Sequence, residues 1–171
     1  EIAKDYPHIK IIPNKENLGF TIANNLALKI AKGKAVMLLN DDTLVHQNSL
    51  EQLFTYLEAH PKVGGVSPKL LNEDGSIQTH GSKLVRKMYL KAKEPTKVPF
   101  VKFAAFMFKK ELLDNVGYLD ENIFFYNDDI DYCKRIIKAS YQIYYLPEAL
   151  ITHLEGVSSQ SMMHKLEGFR G

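Results

Sequence analysis

The chain has 171 residues, 45% of them hydrophobic, which is the length of one domain with enough apolar material for a real core. Lys and Arg number 22 against 20 Asp and Glu, mixed along the chain rather than blocked, so a net charge of +2 gives no footing to a nucleic-acid-binding class. A single cysteine, Cys133, excludes an internal disulfide and reads as a buried small hydrophobe in a reducing compartment, and no apolar run approaches the roughly 18 residues a membrane span needs.

In chain order, Ile9-Lys10-Ile11-Ile12 reads as a short β-branched strand stopped by Pro13 and Asn14. Phe20, Ala23, Leu26, Ala27, Ile30 and Ala31 recur at helical spacing, with Gly33 placed as a C-cap, so a loop holding Asn17 and Gly19 feeds a helix. Ala35-Val36-Met37-Leu38-Leu39 is a continuous apolar run, the pattern of a strand buried on both faces in a parallel sheet, and it ends in Asn40-Asp41-Asp42-Thr43. Asn48 with Glu51 predicts a capped helix whose stripe is Leu50, Leu53, Phe54 and Leu57. A strand over 63–68 follows, then a hairpin turn at Asn72-Glu73-Asp74-Gly75. The stretch 83–97 is rich in Lys and Arg and reads as a basic loop. Beyond it the pattern predicts a strand over 100–108, a short helix over 111–116, a helix over 128–138 and two short strands around Pro147. Strands alternating with helices imply a three-layer α/β domain occupying 1–171 as one unit.

Two acidic clusters and one histidine stand out. Open α/β sheets bind ligands at the carboxyl ends of their strands, which is where Asn40, Asp41 and Asp42 fall. Adjacent carboxylates repel each other unless solvent, a donor or a cation offsets the charge; a solvated turn is the simpler account of these residues taken alone. Asn127-Asp128-Asp129-Ile130-Asp131 opens the last helix, where one carboxylate would satisfy the helix dipole and three exceed that need. An EF-hand fails for want of the Gly and closing Glu at the required offsets. His153 follows a short strand and precedes Glu155-Gly156; singly it carries nothing.

Taken in order, Asn14-Lys15-Glu16-Asn17-Leu18-Gly19-Phe20, Asn24-Asn25, Leu38-Leu39-Asn40-Asp41-Asp42-Thr43, Val116-Gly117-Tyr118-Leu119-Asp120-Glu121, Phe125-Tyr126-Asn127-Asp128-Asp129-Ile130-Asp131-Tyr132-Cys133-Lys134-Arg135 and His153 resemble family 2 glycosyltransferases, in the rhamnosyltransferase and galactofuranosyltransferase branch. The resemblance runs over about 14–158. It implies a GT-A fold, a three-layer α/β/α sandwich with a mixed, mainly parallel central sheet. The two further strands with which the family normally begins are not seen before Ile9, so the chain reads as truncated at its N-terminus.

By that resemblance Asn40-Asp41-Asp42 stands where the family carries a DxD-like motif, with Asn40 in place of the first carboxylate. Asp42 and His153 would hold Mg²⁺ or Mn²⁺, Asn17, Gly19, Asn40 and Asp41 would lie on the donor side, and Asp129, with Asp128 beside it, would be the catalytic base. The implied partners are a dTDP- or UDP-sugar donor and a saccharide or lipid-linked saccharide acceptor, with no nucleic acid. The implied location is the cytoplasm, at the inner face of a membrane with peripheral association. The rival reading is a non-catalytic module that keeps the fold and binds a glycan or a partner protein. Readings as a dehydrogenase, P-loop or α/β-hydrolase enzyme lack their glycine and serine motifs.

Overall fold

The computed structural model describes residues 2–124 and 127–154. In chain order these form α1 (Ile2–Asp5), α2 (Gly19–Ile30), β1 (Ala35–Leu39), β2 (Thr43–Val45), α3 (Ser49–Ala59), β3 (Val63–Leu71), α4 (Lys83–Lys91), β4 (Thr96–Lys97), β5 (Ala105–Lys109), α5 (Leu112–Asn115), α6 (Asp128–Lys138) and β6 (Gln142–His153). The strands make one sheet in the order β1-β5-β3-β6-β2, with β4 also pairing to β6.

Alternation along the strands divides the core into two layers. Phe106 and Phe108 of β5, with Ile143 and Tyr145 of β6, turn to the face covered by α2, α4 and α6, through Leu28, Val85, Tyr89, Tyr132, Cys133 and Ile136. Met107, Leu146 and Val66 turn the other way, onto Leu53 and Leu57 of α3. Helices on both sides of a mixed sheet are the three-layer α/β architecture expected from the sequence. The direction of pairing differs from expectation: β3 with β6 is the one parallel pair among the described residues, and β1–β5, β3–β5, β2–β6 and β4–β6 are antiparallel. A continuous apolar run signals burial, not strand direction. β1 accordingly lies at the sheet edge with Leu38 buried and Leu39 exposed, rather than enclosed between parallel neighbours.

Other local expectations are corrected too. Residues 9–12 form no strand, and Ile9 and Ile11 are exposed, because a β-branched run has no ladder without a neighbour to pair with. Helix α2 stops at Ala31 in extended conformation, so Gly33 is not its cap. Gly33 instead admits the Ala35 carbonyl, which a Cβ would meet at 2.8 Å. Asn48 does precede α3, but in a left-handed conformation and without a side-chain cap; the neighbouring Ser49 ties the helix to β6 by exchanging hydrogen bonds with the Leu150 backbone. Leu50 and Phe54 of the predicted stripe are exposed, leaving Leu53 and Leu57 as its buried members. The basic stretch is largely helix: Val85, Met88, Tyr89 and Ala92 recur on one face and pack on the core, a periodicity that the charges mask. The two strands about Pro147 are one strand, β6, whose register against β3 slips between Pro68 and Lys69.

Candidate active site

Two chain segments far apart in sequence are zipped together at the end of β1. The β1 ladder continues one residue past the strand, Asn40 N donating to the Ala104 carbonyl at 3.0 Å. The chain turns there, held by the Thr43 hydroxyl on the Asn40 carbonyl at 2.7 Å, and enters β2. Thr43 pairs with His153, and Leu154 N donates to the Asp42 carbonyl at 2.9 Å. This pairing, and not proximity in sequence, sets His153 beside Asp42.

Their side chains meet in a nearly closed space. His153 is 5% exposed and Asp42 14%, with Nε2 of the ring 3.2 Å from Asp42 Oδ1. The tautomer follows from the neighbours. Gln78, itself buried, has an amide whose nitrogen donates to Asn72 Oδ1 at 3.0 Å and to the His153 carbonyl at 3.4 Å, so its Oε1 is the atom that faces the ring. The His153 Nδ1–H therefore donates to that oxygen at 2.8 Å, which leaves the Nε2 lone pair to receive Asn40 Nδ2–H at 3.3 Å and to look at Asp42 Oδ1. That carboxylate oxygen is buried and accepts no hydrogen bond among the described residues. An imidazole nitrogen and a carboxylate oxygen 3.2 Å apart are donor types that fit a cation when the ring is neutral, and a histidine whose second nitrogen is fixed by an acceptor is the usual support of a metal-binding imidazole. Two protein ligands would leave the remaining positions to other oxygens, as in sites that hold Mg²⁺ or Mn²⁺ against phosphates. Asp41 is exposed and takes no part in this cluster.

The second acidic cluster divides by environment. Asp131 is committed to structure: its carboxylate takes Arg135 Nε at 2.8 Å, and Arg135 also donates to the Val116 and Tyr118 carbonyls, pinning that loop to α6. Asp128 and Asp129 are half-buried with no such partner. Burial raises both carboxyls above the ordinary aspartate range, their mutual repulsion adding to the rise at Asp128. At Asp129 the rise is opposed by the Ile130 N–H, which donates to its Oδ1 at 2.7 Å, and by the positive charge of Lys102. Lys102 also donates to Gln78 Oε1 at 3.3 Å, so one cation stands between the His153 support and the Asp129 carboxylate. Neither Gln78 nor Lys102 was recognisable in the sequence, since a lone Gln after a turn and a Lys in an apolar run carry no pattern.

The loop at Asn17 and Gly19 approaches from the other side. Asn17 Oδ1 accepts from Gly19 N at 2.9 Å, and Gly19 has φ +75° with Phe124 so close that a Cβ would stand 2.9 Å from its ring. Helix α2 then clasps the segment leading to α6: Thr21 Oγ1 donates to the Ile123 carbonyl, while buried Asn25 donates to the Leu119 carbonyl and receives Leu119 N. Residues 21–25 are therefore tied to 119–123 by side-chain hydrogen bonds. Cys133 is enclosed in α6 with its thiol pushed up to about 12, the inert core residue expected. Phe125, Tyr126, Glu155 and Gly156 of the sequence motifs lie outside the described residues.

The fold is shared with solved glycosyltransferases. A mannosyltransferase from Pyrobaculum calidifontis, in complex with GDP-Man and Mn²⁺, superposes with a TM-score of 0.68 at 21% identity over 91% of this chain and 42% of that one. GalNAc-T7 with UDP, GalNAc and Mn²⁺ gives 0.70 at 16% identity, over 91% and 36%. In sequence the chain is 24% identical to the hexosyltransferase Agl10 of low-salt glycan biosynthesis in Haloferax volcanii, over 74% of this chain and 46% of that protein. It is 23% identical to the N-acetylglucosaminyl-diphospho-decaprenol L-rhamnosyltransferase of Mycobacterium tuberculosis, over 86% and 59%. The chain thus spans roughly half the length of these two relatives. The family model described as "Glycosyl transferase family 2" matches residues 1–117, more than half of the 171. With its mixed α/β sheet and its acidic turn after β1, the chain belongs to glycosyl transferase family 2.

Proposed function

We propose that the chain is a single catalytic domain that transfers a sugar from a nucleoside diphosphate sugar to a saccharide or lipid-linked saccharide, inverting the anomeric centre. The observation that carries this reading is the approach of His153 Nε2 to the buried Asp42 Oδ1, at 3.2 Å, on the carboxyl edge of β1. Asp42 and His153 would hold Mg²⁺ or Mn²⁺, and Gln78 would keep the imidazole turned toward it. When bound, such an ion neutralises charge on the departing diphosphate. The Mn²⁺ in the two solved neighbours supports this role.

Asp129 is the base. A carboxyl raised by burial binds a proton more strongly than an ordinary aspartate, which suits it to take one from an acceptor hydroxyl. Asp128, desolvated alongside it, is raised further by the Asp129 charge. One displacement by the activated hydroxyl, on the side opposite the leaving diphosphate, inverts the carbon and needs no covalent nucleophile. Asn17, Gly19, Asn40 and Asp41 fall on the donor side; Asn40 also buttresses His153. The rhamnosyltransferase relative supports rhamnose as the transferred sugar, and its diphospho-decaprenol name supports an acceptor carried on lipid; a dTDP donor and a place at the cytoplasmic face of a membrane belong to the same proposal. No helix among the described residues is long and apolar enough to cross a membrane.

Calorimetric titration of dTDP and UDP, with and without Mn²⁺, tests the donor site. Binding that requires Mn²⁺ and is lost in Asp42→Ala supports it; metal-independent binding, or equal binding by the variant, would sink the assignment.

A further inference from the structure

Helix α4 has an outer face that nothing in the proposed chemistry uses. Its inner face, Val85, Met88, Tyr89 and Ala92, is packed on the core. At 3.6 residues per turn the outer face carries Lys83, Arg86, Lys87 and Lys91, with Leu90 between Arg86 and Lys83 and with Leu84 beside Lys91. Leu84 is 73% exposed and Leu90 57%, and no acidic residue occurs between Lys83 and Lys93. None of the four cations is in an ion pair among the described residues. With an overall charge of only +2, this cationic face is a local concentration and not a property of the whole chain.

We infer that α4 docks on an anionic lipid bilayer, with Leu84 and Leu90 entering the interfacial layer and Lys83, Arg86, Lys87 and Lys91 pairing with headgroup phosphates. Exposed leucines set among lysines are the composition of a helix that lies in a membrane interface. Leu84 is the most exposed large hydrophobic side chain among the described residues, and a phosphate-backbone surface would give the two leucines nothing to bury against. Each cation near an anionic surface adds attraction, and the apolar pair adds burial that salt does not screen.

The helix is also well placed. The Tyr89 hydroxyl donates to the Phe100 carbonyl at 2.6 Å, its ring packs 4.7 Å from His80, and its phenol is close enough to Asp129 to feel that carboxylate. Docking through α4 would hold the Asp129 side of the site at the bilayer, where a lipid-linked acceptor resides. That consequence rests on the function proposed above; the docking itself does not.

The test is co-sedimentation of the protein with vesicles of phosphatidylcholine alone and of equimolar phosphatidylcholine and phosphatidylglycerol. Wild type is expected to bind the anionic vesicles and not the neutral ones. Lys83→Gln/Lys87→Gln/Lys91→Gln should lose on the order of a hundredfold in affinity, and Leu84→Ser/Leu90→Ser should lose several-fold, roughly, even at low salt. The five substituted side chains are exposed and belong to no core cluster among the described residues, so thermal melting of both variants should match wild type and separates lost docking from lost folding. Absence of vesicle binding by folded wild type, variants that bind as wild type does, or binding to a mixed-sequence RNA in place of vesicles would overturn the inference. Neither readout involves sugar transfer, so failure here leaves the nucleotide titration to judge the catalytic reading.

Discussion

His153 Nε2 and Asp42 Oδ1 lie 3.2 Å apart, and the opposite ring nitrogen lies 2.8 Å from the Gln78 amide oxygen, an acceptor that holds the Nδ1–H and orients the ring. Gln78 is thus a positioning residue for the proposed metal site. Gln78→Leu keeps approximate volume but frees the ring to turn or change tautomer. Mn²⁺-dependent nucleotide affinity should fall about 10- to 100-fold by calorimetry, and Gln78→Glu, which still offers an acceptor, should recover most of it. An unchanged affinity in Gln78→Leu would remove Gln78 from the site.

Asp129→Asn removes the base and leaves the volume. Turnover should drop about 10²- to 10⁴-fold, while nucleotide binding is nearly unaltered. In wild type the acidic limb of the rate profile should lie above the ordinary aspartate range, since burial raises this carboxyl. The same shift predicts a stability effect of defined sign. A carboxyl with a raised folded pKa favours the folded state most at acid pH, and that contribution is lost as pH rises from the unfolded value of about 4 through the raised one. Asp128→Asn and Asp129→Asn should therefore raise the melting temperature at neutral pH and leave it unchanged below the carboxylate range. A melting temperature lowered at neutral pH would contradict the desolvation of this pair.

His80 gives the opposite slope. It is packed against Tyr89 and Phe100, both ring nitrogens lack a hydrogen-bond partner among the described residues, and burial followed by the charges of Lys102 and Arg86 lowers its pKa to about 4. A histidine depressed in the folded state contributes stability that is complete above its unfolded value of about 6.5 and is lost as pH falls toward about 4. Urea titrations across that window should show stability declining with acidification, and His80→Phe, which keeps the ring contacts, should flatten the decline. Identical pH profiles for the two proteins would show that His80 is not buried neutral.

Asn25 is 1% exposed and satisfies both backbone groups of Leu119. Asn25→Leu strands the Leu119 N–H and carbonyl away from water, which should cost about 3 kcal/mol in urea denaturation. Because that clasp joins α2 to the segment before Asp128, turnover should fall further than the stability loss alone explains. A loss below about 0.5 kcal/mol would mean that water replaces the side chain.

Much of this molecule is local information. Apolar periodicity marks α2 and α6 to within a residue, and a hydrophobic run ending in Asn40-Asp41-Asp42 marks β1 and the ligand edge. Where the sequence misleads, a local signal is ambiguous: the lysines of α4 hide its buried stripe, and the β-branched residues 9–12 lack a partner strand. The cluster at Asp128, Asp129 and Asp131 looks uniform in sequence, yet Arg135 takes Asp131 for the fold and leaves the other two desolvated.

The sequence by itself therefore determined most of the helices and strands, the family resemblance and the residue types available for chemistry, because short-range spacing encodes which face of each helix or strand is apolar. Tertiary structure alone decided strand direction, the pairing of Thr43 with His153 and the contacts of Gln78 with His153 and of Lys102 with Gln78. Those features depend on contacts between residues that lie tens of positions apart, and tautomer, burial and carboxyl basicity exist only once such contacts have formed.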